Sequence, residues 1–73
     1  MAKQAPAVYK IIEIVGTSTV SFADAAKNGI KAASKSLRDL RVAEIETQDV
    51  KIESGKLVFR CKMKVSFKYH GDE

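Results

Sequence analysis

Residues 57–69 alternate with almost no fault. Leu57, Phe59, Cys61, Met63, Val65, Phe67 and Tyr69 fall on one parity, and Val58, Arg60, Lys62, Lys64, Ser66 and Lys68 on the other. A period of two places these sets on opposite faces of a β-strand, one apolar and one largely basic. At roughly 3.3 Å per residue the strand runs on the order of 40 Å, about twice the usual length. In a chain of 73 residues one short helix cannot cover so long an apolar face, so neighbouring copies of the chain are expected to complete the packing. A domain this small buries only a modest share of its surface and needs reinforcement. Disulfides cannot supply it, because Cys61 is the only cysteine, and the same count excludes a cysteine-rich zinc module. Oligomerisation remains.

Three further elements precede that strand. Residues 8–15 (VYKIIEIV) are rich in β-branched side chains and predict a strand that stops at Gly16. Ser21 with Asp24 three positions on is close to a capping box, so a helix should start at Phe22. Its apolar stripe, Phe22, Ala25, Ala26, Gly29, Ile30, Ala33, Leu37 and Leu40, has the three-and-four spacing of an amphipathic helix packed on a sheet. Residues 42–52 predict a second strand, joined to the long one by a two-residue turn at Ser54-Gly55. Counting outward from that turn, an unbroken ladder would set Glu46 against Met63 and Glu44 against Val65. One extra residue near Gln48 and Asp49, a β-bulge, corrects this: Ile45 then meets Met63 and Ala43 meets Val65, with Glu46 opposite Lys62 and Glu44 opposite Lys64. The class is α+β, a β-α-β-β unit with one domain over residues 8–69, a flexible leader at 1–7 and a polar tail at 70–73.

Chemistry narrows next. His70 is the only histidine, so Ser-His, Cys-His and multi-histidine metal arrangements are excluded, and no catalytic set is visible. Cys61 lies on the apolar parity and reads as a small buried hydrophobe. Gly16-Thr17-Ser18 lacks the second glycine and the Lys-Ser/Thr pair of a phosphate loop. Glu44, Glu46, Asp49 and Glu53 could offer oxygen ligands to a hard cation such as calcium, which takes six to eight oxygens. One chain cannot provide that many, and within it pairing with Arg60, Lys62 and Lys64 is favoured. Several copies around a symmetry axis could. Thirteen Lys and Arg against nine Asp and Glu give +4, an ordinary charge for a soluble domain. Nucleic-acid binding is disfavoured because Phe59, Phe67 and Tyr69 sit on the parity opposite the basic residues, where they cannot act as stacking platforms among the charges. The opening MAKQAPA lacks the layout of a signal peptide, no apolar run is long enough to span a bilayer, and a lone thiol suits a reducing compartment. The expected location is the cytoplasm.

The order strand, helix, strand, strand, with VYKIIEIVGTS at 8–18, SFADAAKNGIKAASKSLRDLRV at 21–42 and KVSF at 64–67, resembles the dodecin family over nearly the whole span from Val8 to Tyr69. The resemblance implies a three-stranded antiparallel sheet partly wrapping one helix, twelve copies in a hollow shell, and non-enzymatic binding of flavins (riboflavin or FMN) as a storage protein. Two positions depart from the flavin-binding pattern. Val42 stands where those relatives usually carry a stacking tryptophan, and Arg60 where they carry a glutamine. Residues 41–68 are more similar to a tryptophan-less subgroup described as calcium dodecins. Calcium or another cation is therefore the first expected ligand, with Glu44 and Glu46 as candidate metal ligands. A flavin or phosphate-bearing cofactor in an altered pocket at Val42, Glu44, Arg60 and Lys62 is the second.

Overall fold

The tight turn predicted at Ser54-Gly55 is present, with both residues in the left-handed region (φ 48° and 78°), the conformation a two-residue hairpin requires. In the computed structural model, which describes residues 8–68, it joins the last two of four elements: β1 (Tyr9–Ser18), α1 (Phe22–Ala33), β2 (Leu40–Glu53) and β3 (Lys56–Lys68). The strands form one antiparallel sheet in the order β1-β3-β2, so the long strand lies in the middle. The leader at 1–7, Tyr69 and the tail at 70–73 fall outside the described residues.

Period two in β3 is realised as expected. Cys61, Met63 and Val65 are buried beneath α1 with Ala25, and Ile12, Ile14, Phe22, Ala26, Ile30, Leu40 and Ala43 pack around them. Phe22 meets Phe59 edge to face at 5.0 Å between ring centroids, and the Cys61 thiol donates to the Phe22 carbonyl at 3.2 Å. Ser21 caps the helix, its Oγ accepting from the Asp24 N–H at 3.0 Å.

Three boundaries differ from expectation. β1 does not stop at Gly16 but runs through it to Ser18. A β-carbon at Gly16 would lie 2.0 Å from the Ala25 carbonyl oxygen and 3.0 Å from the Gly29 nitrogen, so this glycine is where the helix backbone rests directly on the strand. Gly29 answers it from the helix side, with no room between Met63 and the Gly16 Cα. The helix ends at Ala33 and does not continue to Leu40. Ser34 Oγ donates to the Lys31 carbonyl at 2.8 Å, a local bond that competes with the helical ladder, and Asp39 takes a positive φ of 59° as the chain turns into β2. Leu40 then reaches the core from the start of β2, two residues before the expected start of that strand.

The bulge exists, displaced from Gln48-Asp49 to Glu46: Ile45 pairs with Met63 and Thr47 with Lys62, which leaves Glu46 as the extra residue and not opposite Lys62. Beyond it Glu44 meets Lys64 and Ala43 meets Val65 as predicted. The position has a physical reason, because it keeps Asp49 directly opposite Arg60, where the carboxylate accepts from Nε at 2.6 Å and from an η nitrogen at 2.8 Å. A second shift, unforeseen, loops out Arg41 between Leu40 and Val42.

At about 1.5 Å per residue the 12-residue helix spans about 18 Å, less than half the length of β3. It packs on β1 and β3, and the distal hairpin carries its inner face uncovered: Ile52 is 73% exposed and Leu57 50%. The radius of gyration, 15.4 Å, exceeds the roughly 11 Å of a compact domain of this length.

Candidate functional site

The outer face of the sheet carries the even-numbered residues of β3, and register decides what stands beside each. Lys64 lies between Glu13 on β1 and Glu44 on β2, giving an acid-base-acid row across all three strands. Glu46, pushed out by the bulge, reaches the same lysine at 3.2 Å. Hydrogen bonding to Glu46, reinforced by the negative charges of Glu46, Glu13 and Glu44, holds the Lys64 ammonium above the usual lysine range. Two positions further, Lys62 stands between Val15 and Thr47. Beyond it the two-pronged contact between Arg60 and Asp49 pulls the Asp49 carboxyl below its ordinary range and raises the guanidinium. Glu53 pairs with Lys51 at 2.9 Å.

At the other end of this face Val42 lies opposite Ser66 and lines a cleft of about 400 Å³ with Tyr9, Arg41 and Ser66. Val42 is 62% exposed and Tyr9 52%. Arg60 is six positions from Ser66 along β3, on the order of 20 Å, so within one chain the structure does not bring Val42 and Arg60 together. It does bring together Glu44 and Glu46, on Lys64. Glu13, Tyr9 and Arg41 were missed by sequence reasoning. A signal for the first existed: Glu13 is the single acid within VYKIIEIV, and on the parity of Tyr9, Ile11 and Val15.

For a calcium ion the donors fit in kind and fall short in number. Carboxylate oxygens are the right chemistry, and an ammonium already stands in as the cation among three of them. Among the described residues, however, no group of three His, Cys, Asp or Glu is placed to hold a metal ion. A complete calcium coordination sphere would need further oxygen donors, from water or from other copies. No helix among the described residues is long and apolar enough to cross a membrane.

Comparison with known proteins finds similar chains. The dodecin family model matches residues 8–70. Calcium dodecin of Mycobacterium tuberculosis (strain ATCC 25618 / H37Rv) is 45% identical over 62 residues, 84% of this chain and 87% of that protein. The crystal structure of the M. tuberculosis calcium-chelating immunodominant antigen, calcium dodecin, described with a novel calcium-binding site, matches with a TM-score of 0.81 at 42% identity, covering 90% of this chain and 96% of that one. Dodecin from Streptomyces davaonensis matches with a TM-score of 0.85 at 31% identity, covering 94% of this chain and all of that one (100%).

Proposed function

The chain belongs to the dodecin family, and from that premise we propose that it is a non-enzymatic small-ligand-binding and storage protein that works as a hollow homododecamer and takes calcium or another cation. The observation that carries the cation reading is the gathering of Glu13, Glu44 and Glu46 on one outer sheet face, supported by the 45% identity to a calcium dodecin. Glu44 and Glu46 are the proposed ligands, completed by carboxylates of other copies. Assembly is supported by the inner apolar face that α1 leaves open at Ile45, Val50, Ile52 and Leu57. In water that surface costs on the order of 25 cal/mol per Å², which a second copy recovers by covering it. A single buried thiol is compatible with the reducing cytoplasm.

Metal analysis of the untagged protein, with thermal unfolding in calcium and in chelator, tests this. A melting temperature that rises with calcium and falls with chelator is expected; one indifferent to both rejects the cation. Light scattering that finds a folded 8.0 kDa monomer rejects the assembly.

The cleft at Val42 favours a second reading, a flavin or related planar ligand. Its size suits a small molecule, Tyr9 offers an aromatic wall and Arg41 a charge for a phosphate. A yellow preparation with a flavin spectrum would select this reading over the first. Nucleic acid is not proposed as a partner, because Glu13, Glu44 and Asp49 interrupt the basic row and leave no continuous track for a phosphate backbone.

A further inference from the structure

Lys64 is the centre of the acidic row, not one of its flanks. Glu13 and Glu44 stand beside it in register, one on each neighbouring strand, and Glu46 bonds it from the bulge. Other basic groups on this face are placed differently: Arg60 is taken by Asp49, and Lys62 has Val15 and Thr47 as its cross-strand neighbours. A divalent ion approaching Glu44 and Glu46 therefore meets an ammonium already bonded to one of its two proposed ligands. We propose that Lys64 is the built-in counter-cation of Glu13, Glu44 and Glu46 and sets the affinity of this face for divalent cations, which enter only as its ammonium withdraws. Its side chain is 43% exposed and has solvent to withdraw into. This inference rests on the cation reading above and adds to it the residue that tunes the site.

Calorimetric titration of the assembled protein with calcium chloride tests it, using wild type, Lys64→Gln and Lys64→Arg. Removing the charge should tighten calcium binding about tenfold or more, the factor produced in water by repulsion between a divalent ion and an ammonium about 6 Å apart. Arginine keeps the charge and should give no such gain. In wild type, where no substitution can disturb the fold, the Lys64 side-chain Cε resonance should shift as calcium is added. If wild type and Lys64→Gln bind calcium equally, or the resonance stays fixed while calcium binds, the role of Lys64 is overturned and the cation reading stands. If neither protein binds calcium, both fall. Binding by Lys64→Gln alone supports the role of Lys64 and removes calcium as the wild-type ligand.

Discussion

Replacing Gly16 with alanine tests the contact on which the subunit is built. The added β-carbon would lie 2.0 Å from the Ala25 carbonyl oxygen, an atom of the helix backbone that no rotamer change can move aside. To reach an ordinary contact of about 3.2 Å, β1 and α1 must separate by about 1 Å. Gaps of 0.5–1 Å already forfeit roughly a quarter to a half of each dispersion well, and they would open above Ala25, Cys61, Met63 and Val65, the only fully buried apolar residues described. Overpacking typically costs about 1–3 kcal/mol. With backbone on both sides and so small a core, the upper end applies, about 3 kcal/mol. Thermal unfolding at fixed protomer concentration should then show a melting temperature lower by roughly 12 °C or more. Gly55→Ala is the control. It meets no atom within 4 Å and suffers only its φ of 78°, a strain of about 1 kcal/mol. A Gly16→Ala protein that melts within about 4 °C of wild type, or no lower than Gly55→Ala, refutes the reasoning. The double variant Gly16→Ala, Gly29→Ala should lose less than the sum of the two, because the approach of α1 to β1 at Gly16 and Gly29 is shared, while the remaining Gly29 contact, with the end of the Met63 side chain, can yield by a change of rotamer.

Ser21→Ala removes the cap of α1 and should cost about 1 kcal/mol in denaturant unfolding. Arg60 depresses the Asp49 carboxyl, so this pair stabilises the fold above the ordinary carboxylate range and ceases to do so as pH falls through the lowered value. The difference in melting temperature between wild type and Asp49→Asn should accordingly be present at neutral pH and close in acid; the contact is solvent-exposed, and a small difference is expected. Ile52→Asp with Leu57→Asp alters side chains that are exposed within the subunit. Light scattering should show a smaller particle, while circular dichroism shows the secondary structure retained.

How much was legible depended on whether a signal was local. The alternation from Leu57 onward marked β3 and its two faces because side-chain direction in a strand depends on nothing but parity. Charge and hydropathy together required a bulge, since no unbroken ladder could keep both Ile45 and Glu44 in acceptable company. Its position was hidden, because it depends on the geometry of the Arg60–Asp49 contact, which spacing alone does not show. The helix end misled for a related reason: Leu37 and Leu40 continue the helical period, yet Leu40 serves the same core from a strand. Gly16 read as a stop because glycine weakens strands in general, whereas here its missing side chain admits a helix. Of the candidate site, Glu44, Glu46 and Val42 were named from sequence, whereas the place of Glu13 beside Lys64 became visible only when β1 was seen to pair with β3.

Glu46, the residue left without a register partner on β3, divides β2 into two lengths whose registers are set separately. The hairpin end is indexed by the turn at Ser54-Gly55, and the opposite end by Ile45 and Ala43 seated against Met63 and Val65. A one-residue deletion between Ile45 and the turn can thus be absorbed by losing the bulge, and an insertion by adding a second, as a crystal takes up misfit by losing or gaining a dislocation. The hairpin can drift in length during evolution while the row from Glu13 to Glu44 keeps its place.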